Sequence, residues 1–204
     1  MVVDAIAAAT TWFFVAYFAL INGSYLLIHA AAMVGVRRNR AERRVTPDFD
    51  IHESPFVPGV AVVLPAYNEG PVIASSVRSL LSVEYPDFEI VAVNDGSTDD
   101  TLERLQESFE LDRVDADFPL EVRCEPIRGV YRASDVDLVV IDKENGGKAD
   151  ALNAGIFFTD QPLFCAVDAD TIVERSALID IIRPFLRDPE RVIATGGTVR
   201  IANG

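Results

Sequence analysis

Asp168-Ala169-Asp170 closes the apolar run Leu163-Phe164-Cys165-Ala166-Val167. Carboxylates one residue apart at a strand's end can hold a hard divalent cation through oxygen, and such a cation usually keeps open positions for phosphate. The pattern points to a metal–diphosphate site, although the same tripeptide also occurs as a solvated loop, so its surroundings must decide. Lys143-Glu144-Asn145-Gly146-Gly147-Lys148 leads into Ala149-Asp150-Ala151-Leu152-Asn153-Ala154-Gly155, a Gly-Gly loop opening a helix. A helix N-terminus binds phosphate through its free N–H groups and dipole, and Lys148 adds a point charge. The loop lacks the Gly-x-x-x-x-Gly-Lys-Ser/Thr order of a Walker A motif, and no Gly-x-Gly-x-x-Gly follows the first apolar run. Two further clusters are polar: Pro65-Ala66-Tyr67-Asn68-Glu69 and Asn94-Asp95-Gly96-Ser97-Thr98-Asp99. Each reads as ordinary turn chemistry with a capping residue, or as a nucleoside site in which Tyr67 offers a flat face, Glu69 an acceptor, and Asp95 an acceptor for a base N–H.

The elements that must position these groups are short apolar runs rich in Val and Ile, at Val60–Leu64, Glu89–Val93, Leu138–Ile141, Leu163–Val167 and Val192–Ala194. They predict buried, mostly parallel strands, with Leu120–Cys124 as a further one. Helical spacing covers Val72–Val83, with Val72, Ile73, Ser76, Leu80 and Val83 on one face, then Thr101–Phe109, Lys148–Phe158 and Ala177–Leu186. Asp99 is placed to cap the second of these helices, and Gly155 is tolerated near the end of the third. Strand–helix alternation gives an α/β fold, an open mixed sheet with helices on both faces. Ligands of such sheets sit beyond the carboxyl ends of the strands, where all four polar clusters fall.

Ahead of this domain, Ala5–Val36 is uncharged apart from a neutral His29, longer than the ~20 apolar residues that cross a bilayer. Residues 1–36 are therefore expected to form one transmembrane segment. Arg37, Arg38, Arg40, Arg43 and Arg44 follow it, while the N-terminal flank carries Asp4, which predicts an outside N-terminus and a cytoplasmic domain. The alternative of a cleaved signal peptide conflicts with the run's length and with basic residues lying after it. Asn22-Gly23-Ser24 allows a kink or a split of the helix, and a long run can equally tilt. Residues 37–59, with Pro47, Pro55 and Pro58, read as a basic juxtamembrane segment and linker, and residues 60–204 as the domain.

Residues 1–44 carry a net +3 of the total −14, leaving −17 for the rest, so nucleic acid is not an expected partner. So acidic a surface is also a device of salt-adapted proteins. Cys124 and Cys165 lie in apolar runs as core thiols, with no disulfide framework indicated. The only histidines are His29 and His52, in the span and the linker, so the chemistry rests on carboxylates, lysine and backbone.

In this order, 65–69, 94–99, 143–155 and 168–170 resemble the motifs of family 2 glycosyltransferases of the GT-A fold, over roughly Val60 to the end. The long lysine–glycine motif behind a membrane span is most similar to the membrane-bound branch that includes poly-N-acetylglucosamine, chitin-type and hyaluronan synthases. The resemblance implies that Tyr67 stacks on uracil, Glu69 contacts the nucleoside, Asp95 binds uridine and Lys148 faces the diphosphate. It makes Asp168 and Asp170 the pair for Mg²⁺ or Mn²⁺, with Asp168 nearer the nucleotide sugar. The implied activity is that of a metal-dependent, inverting hexosyltransferase of polysaccharide biosynthesis. It would pass a sugar, N-acetylglucosamine or a similar one, from a UDP-sugar donor to a glycan or lipid-linked acceptor at the cell membrane. The family's general base, in a Thr/Gly-Glu-Asp motif, and its Gln-x-x-Arg-Trp motif have no match in residues 60–204, so the base is expected beyond Gly204. A non-catalytic or partner-dependent nucleotide-sugar-binding subunit, lacking the acceptor half, is the alternative.

Overall fold

In the computed structural model, residues 2–45, 57–115 and 123–198 are described, and the chain divides into two units, Met1–Phe49 and Asp50–Gly204. The first unit is helix α1, Val2–Val45, unbroken through Asn22-Gly23-Ser24 and on to the arginine-rich end. Its stretch Val2–Gly35 is long and apolar enough to cross a bilayer, with its side chains exposed to whatever surrounds them.

The second unit contains six strands: β1 Val60–Ala66, β2 Phe88–Asp95, β3 Asp112–Val114, β4 Ile127–Arg132, β5 Leu138–Lys143 and β6 Leu163–Ala166. Interleaved with them are helices α2 Ile73–Leu81, α3 Thr101–Phe109, α4 Lys148–Phe158 and α5 Ala177–Arg187. The sheet order is β3-β4-β5-β2-β1-β6. β5, β2, β1 and β6 run parallel, and β4 and β3 are antiparallel additions at one side. The register Val60↔Phe88 and Val60↔Leu163 puts the ends of β1, β2 and β6 on one edge, joined by β5 through Asp95↔Lys143.

Side-chain alternation sends the buried residues to two faces. Val62, Leu64, Ile90, Ala92, Leu138 and Val140 pack under α2, α3 and α5 through Val77, Leu80, Leu105, Leu178 and Ile182. Val63, Val91, Val93, Val139 and Ile141 pack under α4 through Ala151 and Ala154. α4 lies close because its inner face is small: a Cβ on Gly155 would come within 2.5 Å of Val63 Cγ1 and 3.3 Å of Val93 Cγ2. Gly155 is thus required by packing, beyond being tolerated.

One expectation changes. Val192–Ala194 is not a strand: it has no ladder partners among the described residues, Val192 N–H donates back to the Asp188 carbonyl at 3.0 Å, and Ile193 is 93% exposed. Most of the expected strand 120–124 falls outside the described residues, and Cys124 itself sits in a bend. β3 and β4, at the sheet's margin, mix charged and apolar residues and bury only Val130, so they present no continuous apolar run to read.

Candidate functional site

Four loops leave the carboxyl edge, and hydrogen bonds tie each to the next. After β1, Asn68 turns through a left-handed φ of 56°, a conformation Asn tolerates better than most residues. Its N–H donates to Ser97 Oγ at 3.0 Å, and its Oδ1 accepts from Thr98 N–H at 2.8 Å. Glu69 N–H donates to Thr101 Oγ1 at 2.9 Å, and Gly70 N–H to Asp99 Oδ2 at 3.1 Å. The loops after β1 and β2 are therefore one unit, with Tyr67 51% exposed upon it. The Glu69 carboxylate, half-buried, carries no hydrogen bond among the described residues.

Asp99 does this joining in place of capping α3 itself. The N-cap is Asp100, without a side-chain cap bond, while Asp99 Oδ1 accepts from Thr101 N–H at 3.1 Å and from its Oγ1 at 2.5 Å. Burial would raise the Asp99 pKa, but these bonds and that from Gly70 outweigh it and hold the carboxyl below its ordinary value.

Asp95, the last residue of β2, is only 3% exposed. Its Oδ1 accepts from Lys143 Nζ at 2.7 Å and Gly146 N–H at 3.0 Å, and its Oδ2 from Gly147 N–H at 2.7 Å. Asn145 Nδ2 donates to the Asp95 carbonyl at 2.8 Å. Asp95 does not project beyond the sheet: it is buried under the Gly-Gly loop and holds it. Nor are the N–H groups of Gly146 and Gly147 free for phosphate, since Asp95 takes both.

Lys143, fully buried at the end of β5, is the residue the motif reading passed over. Its ammonium also meets Asp150 Oδ1 at 2.5 Å and the Glu144 carbonyl at 2.5 Å. Burial pulls the Lys143 pKa down, yet Asp150 and Asp95 more than reverse this and raise it. Burial pushes the Asp95 pKa up, and the bonds from Lys143, Gly146 and Gly147 with the lysine's charge bring it below the ordinary value. The signal was present in the sequence: a lysine continuing a buried apolar strand must find carboxylates. Each glycine has its own cause. Gly146 faces the Asp150 carboxylate, 2.5 Å from where a Cβ would stand, and Gly147 has φ 88°.

Asp168 and Asp170 occupy the turn after β6. Ser76 Oγ of α2 donates to the Ala169 carbonyl at 2.5 Å, Val173 N–H donates to Ser79 Oγ at 3.2 Å, and Val167 N–H to the Val63 carbonyl at 3.0 Å. The turn is thus pinned to α2 and β1 while both carboxylates face outward. Lys148, at the first position of α4, donates to Asp168 Oδ1. The structure therefore joins Lys148 to Asp168, Asp95 to the loop that precedes Lys148, and Tyr67 and Glu69 to the loop that follows Asp95; it shows no direct contact between Tyr67 and Lys148.

The donor set fits a divalent cation held jointly with a ligand. A cation, the Lys148 ammonium, already rests on Asp168. No group of three or more His, Cys, Asp or Glu exists among the described residues to enclose a metal, so Asp168 and Asp170 would leave most positions to phosphate and water.

The open mixed sheet gathers its polar loops at the carboxyl edge of the parallel strands, where ligands of α/β folds bind. Residues 61–203 match the family model of Glycosyl transferase family 2, and the chain belongs to that family. A poly-β-1,6-N-acetyl-D-glucosamine synthase of Staphylococcus epidermidis is 33% identical over 167 residues, 76% of this chain and 35% of the relative. The same-named protein of Staphylococcus aureus (strain COL) is 28% identical over 191 residues, 93% of this chain and 40% of the relative. The chain thus spans well under half the length of these relatives. The mannosyltransferase PcManGT from Pyrobaculum calidifontis, solved with GDP-Man and Mn²⁺, superposes with a TM-score of 0.51 at 26% identity, over 78% of this chain and 42% of that one.

Proposed function

We propose that residues 60–204 bind the donor in an inverting glycosyltransferase anchored by α1, which passes a sugar from a UDP-sugar to a growing glycan. The observation that carries this reading is the contact of Lys148 with Asp168, which brings the phosphate-facing lysine and the acidic pair to one spot on the sheet's carboxyl edge. Family membership supports glycosyl transfer, and the two synthase relatives support N-acetylglucosamine as the sugar. The neighbour holding GDP-Man and Mn²⁺ supports a nucleotide sugar with a divalent cation.

Under this reading Tyr67 stacks on the base and Glu69 contacts the nucleoside. Asp95 contributes by holding the Gly146-Gly147 loop, and whatever it offers uridine comes from its remaining lone pair. Lys148 and the first amides of α4 take the charge that develops on the departing diphosphate. Bound at Asp168 and Asp170, Mg²⁺ or Mn²⁺ would supply Lewis acidity to the same leaving group. The base that deprotonates the acceptor hydroxyl is assigned to none of the described carboxylates. α1 lies in the cell membrane with its arginine-rich end toward the cytoplasm.

Saturation-transfer NMR with the full chain in detergent and Mg²⁺ tests the substrate class. Contacts to the uracil and ribose protons of UDP-N-acetylglucosamine, displaced by UDP, are expected. Equal contacts from GDP-mannose, or none from either, would contradict the reading.

A further inference from the structure

Lys143 and Lys148 are the only lysines in the chain; every other one of its 18 Lys and Arg residues is an arginine. The two stand at either end of the Gly-Gly loop, Lys143 fully buried and the side chain of Lys148 61% exposed. Donor binding as proposed uses Lys148 and gives Lys143 no part.

The geometry at Lys143 explains why a chain that elsewhere uses arginine departs from it here. Asp95 Oδ1 at 2.7 Å, Asp150 Oδ1 at 2.5 Å and the Glu144 carbonyl at 2.5 Å converge on one nitrogen. An ammonium donates three bonds from a single point, whereas a guanidinium spreads its donors across a plane. Stability alone does not account for the cluster, because apolar residues of similar volume commonly serve a core as well as buried ions do. What sets it apart is where its partners lead. Asp95 holds the N–H groups of Gly146 and Gly147. Asp150, in the first turn of α4, accepts the Glu125 N–H on both oxygens at 3.1 Å. One buried charge thus joins the start of the loop, its two glycines and the first turn of α4, the turn from which Lys148 reaches Asp168.

We propose that Lys143 is a positioning residue for the diphosphate of the nucleotide donor. Through Asp95 and Asp150 it fixes the loop and the first turn of α4, and so sets where the Lys148 ammonium stands. Its charge also offsets one of the two carboxylate charges beside the N-terminus of that helix. The proposal deepens the donor-binding reading and rests on it.

The test uses the full chain in detergent and two variants. Lys143→Met with Asp150→Asn removes one charge of each sign and leaves Asp95 its bonds to Gly146 and Gly147. Lys143→Arg keeps the charge and loses the convergence on one nitrogen. Calorimetry with UDP in Mn²⁺ should show affinity falling about 10- to 100-fold in both, the loss of one hydrogen bond to a charged group. Uridine, followed by saturation-transfer NMR in Mg²⁺, should bind as in wild type. Labelling with ¹³C-lysine gives one Cε signal for each lysine, and the Lys148 signal should shift in both variants before any nucleotide is added. Wild-type chain that binds no UDP would overturn the donor reading and this proposal together. Where wild type binds, unchanged UDP affinity, equal loss of UDP and uridine, an unmoved Lys148 signal, or absence of a cooperative melt in both variants would overturn the proposal alone and make Lys143 a support of the fold.

Discussion

Lys148 extends from the first turn of α4 to Asp168 in the turn after β6, so one ion pair closes the gap between the loop that follows β5 and the acidic pair. Both side chains are more than half exposed, at 61% and 58%, so the pair adds little to stability and is open to exchange. Under the proposed reading, a divalent cation arriving at Asp168 would compete with the lysine, and a diphosphate arriving with it would give the lysine a new partner.

That exchange gives Lys148→Gln effects of opposite sign. Without nucleotide, Mn²⁺ affinity should rise, by no more than about fivefold for an exposed pair. With Mn²⁺ present, UDP affinity should fall. Mn²⁺ titration by electron paramagnetic resonance and calorimetry with UDP read the two, and a fall in both would mean that Lys148 supports the metal and does not compete with it.

Tyr67→Ala should weaken UMP and UDP alike, by about 1–3 kcal/mol if an aromatic–base stack is lost. The ring is half exposed and, among the described residues, no hydrogen bond of its side chain supports the loop, so the melting temperature should not move. Unchanged UMP affinity would make Tyr67 a surface residue of a turn.

The Lys143–Asp95–Asp150 cluster predicts a stability plateau with two limbs. Asp95 has a lowered pKa, so its contribution is present above the ordinary aspartate value of 3.8 and is lost as pH falls through its own depressed value. Lys143 has a raised pKa, so its contribution is complete below the ordinary lysine value of 10.5 and is lost as pH rises through its own. Between these limits the cluster itself should add no slope to melting curves against pH, and Asp95→Asn should lessen the acid limb, to which Asp99 also contributes. Lys143→Met, which strands two carboxylates under the loop, should cost about 3–5 kcal/mol. An acid limb identical in wild type and Asp95→Asn would place the titrating group elsewhere.

Gly155→Ala tests the packing of α4. Its methyl would enter the space of Val63 Cγ1, and overpacking of this kind costs about 1–3 kcal/mol. Thermal melting reads it; an unchanged midpoint would show that α4 can lift from the sheet without cost.

What was legible in the sequence followed from burial. β1, β2 and β5 are continuous apolar runs because these parallel strands are covered on both faces, β6 is an apolar run at the sheet's edge with Phe164 55% exposed, and Thr101–Phe109 and Lys148–Phe158 appear with the bounds their spacing predicts. β3 and β4 were not legible because a marginal strand half open to solvent carries no such run. Val192–Ala194 misled for the opposite reason: three residues were read as a strand, but a strand also needs a neighbour to pair with. At the site, the polar clusters and their convergence followed from the carboxyl-edge rule. The inward turn of Asp95 did not, because sequence spacing says nothing of which N–H groups a carboxylate will meet, and only the fold brings Gly146, Gly147 and Lys143 around it.

The central claim is cation-dependent binding of a nucleoside diphosphate at Asp168, Asp170 and Lys148. Calorimetry of the full chain with UDP, in Mn²⁺ and then in EDTA, measures it directly, with Asp168→Ala as the companion protein. Binding in Mn²⁺ that is lost in EDTA and lost again in Asp168→Ala is the predicted result; equal affinity in the two buffers would contradict the account.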